Sequence, residues 1–289
     1  MIIVKPHFRR KLFSILGLLI AIVSVIPKSW AADDESRWQL SIGLGIGVRT
    51  NPVMDNDNIP LIILPQISYQ GERFFIQNLD VGYALFQDNK QEFNLLLTPS
   101  YDQIFFNEWD VSNFVNHSTL ASMAANDKNS PSLESNNRAI DKSRLHDRRM
   151  AALAGMEYSH HIYDVDIQVQ VLQEVTGYYD GNEVRFALSK SISTGKHDVK
   201  LTLGANWQNA ATINYFYGLP ETESPGNFAY EADAGLTGLL RFDWSYQLDE
   251  HWSLRFFTSY RHLSHSISNS PLVTKNNVIT AFAGGVYHF

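Results

Sequence analysis

One pattern limits the fold of this chain more than any other: a hydrophobic rhythm of period two, sustained over stretches too long for an ordinary strand. Trp38, Leu40, Ile42, Leu44, Ile46 and Val48 alternate without exception with Gln39, Ser41, Gly43, Gly45, Gly47 and Arg49. Successive side chains of a strand point to opposite faces, so this segment is oily on one side only. A soluble strand runs about five or six residues, whereas a tilted strand crossing a bilayer needs about nine to eleven. Length favours the membrane.

The same signature returns along the chain. Val165, Ile167, Val169 and Val171 alternate with Asp166, Gln168 and Gln170; Val184, Phe186 and Leu188 with Arg185, Ala187 and Ser189; Val199, Leu201, Leu203, Ala205 and Trp207 with Lys200, Thr202, Gly204 and Asn206. Further on, Leu236, Leu240, Phe242, Trp244 and Tyr246 oppose Thr237, Arg241, Asp243 and Ser245, and Trp252, Leu254, Phe256 and Tyr260 oppose Ser253, Arg255, Ser259 and Arg261. In a barrel wall the oily face meets lipid and the polar face meets the lumen, and closure pairs every edge.

Eleven stretches read as strands, at about 37–49, 59–70, 73–86, 91–105, 149–161, 164–176, 183–193, 198–210, 231–247, 251–263 and 277–289. A bacterial single-chain barrel needs an even number. Either Ile213 to Leu219 supplies a missing strand or 73–86 is two. The expectation is an all-β, transmembrane antiparallel β-barrel of twelve strands, with ten as the alternative. Tight joints, such as Gln70–Arg73, Asp88–Lys90, His160–Asp164, Ser193–Lys196 and Leu248–His251, contrast with a long polar loop at about 107–147. Aromatics at many strand ends, among them Trp38, Tyr69, Tyr101, Trp109, Tyr158, Tyr163, Trp207, Tyr215, Trp244, Tyr246, Trp252, Tyr260 and Tyr287, match interfacial girdles.

The first thirty residues fit a secretion signal. Lys5, Arg9, Arg10 and Lys11 precede an apolar run from Leu12 to Ile26, and Ser29 and Ala31 suit a signal-peptidase site. Cleavage is expected after Ala31, leaving residues 32–289 as the barrel. At about 15 residues the run is short of the roughly 20 that a spanning helix needs. Of the 23 basic residues five, Lys28 included, lie in this leader, leaving 18 against 30 acidic ones and a mature net charge of −12. So acidic a chain lacks the basic footprint for nucleic acid, which is not an expected partner. There is no cysteine, which excludes disulfides and a lipidated N-terminal cysteine, so anchoring falls to the fold.

The chain ends Tyr287-His288-Phe289, and an outer-membrane strand ending in an aromatic residue is a suitable edge for the barrel-assembly machinery to read. The lipid bilayer and that machinery are the partners expected from these features.

The residues also resemble the MipA/OmpV family of outer-membrane proteins, across essentially the whole mature length. The carriers are the glycine-rich strand Leu40–Arg49, the block Pro60–Tyr69 followed by Gly71–Ile76 and Gly82-Tyr83, the segment Asn214–Leu219, and the ending Leu263, Ser270–Val273 and Gly284–Phe289. Asn51–Asp57 departs from the family's Tyr-x-Gly-Ser-Asp-Asp pattern, and Tyr217 interrupts its Phe-Gly pair. The resemblance implies a non-enzymatic scaffold that binds a lytic transglycosylase and a bifunctional penicillin-binding protein in peptidoglycan synthesis. Other members imply a narrow porin-like channel or an adhesin, here acting through the 107–147 loop.

A search for chemistry returns no catalytic, cofactor-binding or metal-binding assignment. No Gly-x-Ser-x-Gly elbow, Walker loop or His-Glu-x-x-His is present. His160-His161 converge only if they lie in a turn, and His262 and His265 fall on opposite faces if extended. His251 and His288 read as interfacial or loop histidines. Asp55–Asn58 could offer oxygens to calcium but reads as a solvated turn, matching no complete calcium loop. Arg185, Lys200, Arg241, Asp243, Arg255 and Arg261 fall on the lumen face, where their mixed signs favour a plugged, salt-bridged interior over a conducting one.

Overall fold

In the computed structural model the described residues are 37–106, 145–223 and 229–289. The expected leader, Trp109 and most of the 107–147 loop lie outside them. Thirteen strands follow one another: β1 (Trp38–Arg49), β2 (Ile59–Pro60), β3 (Ile63–Gln70), β4 (Phe74–Gln77), β5 (Asp80–Gln87), β6 (Gln91–Pro99), β7 (Ala152–Ile162), β8 (Val165–Glu174), β9 (Asn182–Thr194), β10 (His197–Gln208), β11 (Gly235–Gln247), β12 (Trp252–His262) and β13 (Asn277–His288). From β3 onward each pairs antiparallel with the next, β1 pairs with both β2 and β3, and β13 returns to β1 from Ser41↔His288 to Arg49↔Thr280. At that seam the Phe289 N–H donates to the Leu40 carbonyl at 3.0 Å.

The wall has twelve staves. Strands β2 and β3 both pair with β1 and form one stave, interrupted at Leu61-Ile62, where the register slips by one residue. The stretch 73–86 is two strands, and the segment 213–219 is no strand at all. It belongs to helix α1 (Ala210–Tyr217) and the turn after it. The 91–105 stretch also ends early, because the chain leaves the wall at Pro99 and turns through a short 3-10 segment, Asp102–Phe105.

Alternation sorts the side chains as the sequence requires. Leu44, Ile46, Leu95, Leu97, Met156, Val171, Ile192, Leu203, Leu240 and Phe256 are exposed on the outside, Ile46 at 80%. So wide an apolar belt has no place in water and suits hydrocarbon. No helix among the described residues is long and apolar enough to cross a membrane. The glycines of β1 face the opposite way, and at Gly45 an aromatic ring fills the space a side chain would take. Phe282 lies across the inner wall, and a Cβ on Gly45 would come within 2.7 Å of its ring.

The two ends differ. Five joints at one end are tight, and Asp88 and Asp249 fold theirs by accepting backbone N–H bonds, from Lys90 and Gln91 and from His251 and Trp252. At the other end every connection is long except Asn78-Leu79, where Asn78 takes the left-handed φ of 56° that a two-residue hairpin demands. That hairpin is short, so the upper part of the β2–β3 stave has no strand opposite it. Bond parity shows that the missing N–H groups of Pro60 and Pro65, and that of Pro99 across the gap, are the ones that would have faced this notch. Proline is the residue that an unpaired strand edge tolerates.

Candidate functional site: a plugged lumen

The loops of the long-connection end fold into the barrel mouth and build a core of their own. Helix α1 starts at Asn209, whose Oδ1 accepts from the Thr212 N–H and Oγ1 at 3.0 and 2.9 Å. That capping bond satisfies an otherwise orphaned helix donor. Ile213, Phe216 and Tyr217 then fall on one helix face, and all three are fully buried. They pack with Val53 of the first long connection, Ile59 of β2, Phe105 of the 3-10 turn, Leu263, Ile267 of the short helix α2 (His265–Ser268), and the wall residues Phe257, Val278 and Phe282.

Polar clasps hold this plug together. Arg148, itself buried, donates through Nε to the Phe216 carbonyl at 2.5 Å and through Nη2 to the Gly218 carbonyl at 3.2 Å, with its guanidinium over the Phe106 ring. Those carbonyls belong to the last turn of α1 and to the residue that caps it, where a cation also meets the negative end of the helix dipole. Burial lowers the Arg148 pKa from its ordinary value, with Glu223 acting in the opposite direction. Asn214 exchanges two 2.7 Å bonds with the Ala232 backbone, Ser270 Oγ donates to the Tyr217 carbonyl, and His146 contacts Glu223. Burial raises the Tyr217 phenol well above its usual range, so it stays neutral.

Beneath the plug the interior is polar. Asp102, on the 3-10 turn, accepts from Gln208 Nε2 at 2.8 Å and from Arg261 Nη2 at 3.1 Å, joining plug to wall. Arg241 grips Asp243 through two 2.6 Å bonds, and Arg255 reaches the same carboxylate at 3.5 Å. Both guanidiniums lie against Phe257. Arg185 pairs with Glu183 at 3.0 Å. Across the barrel Glu157 accepts from Asn94, Gln168 and Gln170. The interior holds a cavity of about 390 Å³ under the plug and others of about 800 and 360 Å³ toward the tight-turn end.

The six charges read as lumen-facing do line these cavities, and five of them are tied into Arg–carboxylate pairs. The sixth, Lys200, stands 3.9 Å from Asp166. His160 and His161 lie within β7, where His160 stacks on Tyr158 and His161 Nδ1 meets Asp166 at 2.5 Å, so they do not converge. His262 stacks on Tyr260, His251 on Tyr287, and His288 bonds Ser253, each separately. Among the described residues no group of three or more His, Asp or Glu could hold a metal ion. Asn56 and Asn58, from the acidic run, work as staples: Asn56 donates to the Phe105 carbonyl at 2.8 Å, and Asn58 accepts from the Asn51 N–H at 3.0 Å. Tyr215 is no girdle residue either, since it stacks on Tyr179 at 4.5 Å within the plug. A plugged, salt-bridged interior is what the sequence favours; the hydrophobic core that the loops build in the mouth is what it misses. The signal was available in Asn209 followed by apolar residues at 213, 216 and 217, the spacing of a capped helix.

A family model described as MltA-interacting protein MipA matches residues 42–289. The chain belongs to the MipA family. Its relatives include the putative outer membrane protein YiaT of Escherichia coli K12, 24% identical over 254 residues that cover 87% of this chain and 91% of that one. The MltA-interacting protein of the same strain is 23% identical over 276 residues, covering 95% and 97%. Among solved structures, a loop-deletion mutant of OmpT, an outer membrane protein of Vibrio cholerae, aligns with a TM-score of 0.34 and 9% identity over 88% of this chain and all of that one. With relatives named outer membrane proteins and a sheet closed on itself, this MipA-family chain is an outer-membrane β-barrel. Outer-membrane barrels carry short turns on the periplasmic side and longer loops on the extracellular side, and the two ends are named accordingly.

Proposed function

We propose that this barrel is an outer-membrane scaffold for murein-remodelling enzymes, binding a lytic transglycosylase and a bifunctional penicillin-binding protein on its periplasmic side. The observation that carries this reading is the plug. An extracellular mouth filled by a packed core leaves the barrel to act through its surfaces, and relatives named for interaction with MltA supply the class of partner. The same reading includes a leader removed after Ala31 and delivery by the barrel-assembly machinery. In the closed barrel β13 is paired on both edges, so Phe289 is legible to that machinery only before closure. The reading assigns no chemistry to the barrel.

The test is mild crosslinking in cells followed by purification of the barrel. A lytic transglycosylase should co-purify, and charge-reversing substitutions in the exposed periplasmic turns, such as Lys90→Glu and Lys196→Glu, should reduce its yield. Its absence under conditions that capture a control partner would overturn the scaffold. Attachment to host surfaces that vanishes when residues 107–147 are deleted would favour an adhesin instead, and stepwise ion conduction would favour a channel.

A further inference from the structure

The 390 Å³ chamber under the plug has an unbalanced lining. Four arginines, Arg49, Arg185, Arg241 and Arg261, face two carboxylates, Asp102 and Glu183. Three of the four have carboxylate partners, Arg241 through Asp243. Arg49 has none among the described residues, and its one hydrogen bond runs from Nε to the Thr280 hydroxyl at 3.3 Å. A guanidinium carries five donors in a planar fork suited to a carboxylate or phosphate, and withdrawing its charge from bulk water is costly without a counter-charge.

Elsewhere in the same lining stand two acceptors without donors. Gln208 is only 2% exposed, and its Nε2 bonds both Asp102 and Glu183, which fixes the amide and leaves Oε1 unpartnered. Asn206 Oδ1 on the same strand is also buried and unpartnered. Buried acceptors in this state call for N–H or O–H donors. The chamber therefore offers a free cationic fork at one wall and free carbonyl oxygens at another, in a volume at the lower end of small-molecule sites. It shares Gln168 and Ala187 with the larger periplasmic cavity, which gives the side of entry.

We propose that this chamber is a binding site for a small hydroxylated carboxylate entering from the periplasm, with its carboxylate on Arg49 and its hydroxyls donating to Asn206 Oδ1 and Gln208 Oε1. The site is independent of the scaffold reading. A barrel that binds no transglycosylase can still bind the acid, and the reverse holds too.

The full chain, folded in detergent micelles, is titrated calorimetrically with D-gluconate and in parallel with sorbitol, a polyol of similar size without the charge. Gluconate should bind saturably and sorbitol should not. Arg49→Gln should weaken gluconate by about ten-fold or more, the usual cost of losing a hydrogen bond to a charged group. Asn206→Asp, which changes shape little and adds a repelling carboxylate, should abolish binding. Heat-modifiable migration on gels checks that each variant is folded, and Arg49→Lys stands in if Arg49→Gln is not. Absence of saturable gluconate binding, equal binding of sorbitol, or undiminished affinity in a folded Arg49 or Asn206 variant would each overturn the proposal.

Discussion

The extracellular and periplasmic ends of this barrel are built from opposite materials. At the extracellular end, connections from four places in the chain turn inward and bury Val53, Phe105, Ile213, Phe216, Tyr217, Leu263 and Ile267 almost completely. At the periplasmic end the connections are tight turns that bury nothing, and the lumen above them is lined by glutamine, serine and charged side chains around open cavities. The same wall spans both ends, so the difference comes from the loops. A cylinder of strands fixes its outside by alternation, yet only connections long enough to fold back can close its mouth. The consequence is a one-sided vessel, sealed outward and open inward.

The largest expected effect comes from emptying the seal. Phe216→Ala removes a fully buried ring from the plug and should cost about 3–5 kcal/mol in urea unfolding from lipid vesicles. Truncating Gln66 at the periplasmic end should cost far less, because it is only partly buried in an open cavity. Equal losses would erase the contrast between the ends.

The joint between plug and wall should come next. Asp102→Asn leaves Arg261 without the carboxylate it meets at 3.1 Å, a loss on the order of 3 kcal/mol for a nearly buried pair. The same unfolding measurement checks it. A neutral outcome would mean that the plug rides free of the wall.

Gly45→Ala tests the wall itself. Its Cβ would sit 2.3 Å from the Ala283 carbonyl oxygen and against Phe282, so about 1–3 kcal/mol should be lost to overpacking. Gly238→Ala, with nothing within 4 Å of the added atom, is the matched control and should be close to neutral.

The smallest effect belongs to the periplasmic turns. Backbone N–H bonds from His251 and Trp252 hold the Asp249 pKa below its ordinary value. A depressed folded pKa contributes stability above the unfolded pKa, and that contribution is lost as pH falls through the folded value. Carboxylate titration by NMR should place the Asp249 midpoint below that of a free aspartate, and Asp249→Asn should remove this part of the acid dependence while leaving the plug intact.

Much of the wall could be read from alternation alone, because the period of two is a local property of the chain. The lumen-facing arginines were identifiable for the same reason. The count of staves was harder, since β4 has only four residues and its turn, Asn78-Leu79, carries no glycine to mark it. The plug lay further out of reach. Phe105, Ile213 and Leu263 sit in segments with no shared period, and they meet only because the closed wall brings their loops over one mouth. The lone state of Arg49 was equally hidden, as pairing depends on which strands become neighbours.

The central claim is that the extracellular mouth is sealed, and recordings of single barrels in planar bilayers test it most directly. The intact protein should insert without any stepwise current, whereas a variant lacking the α1 segment, residues 210–217, should give discrete openings. Regular steps from the intact barrel, equal to those of the variant, would contradict the account.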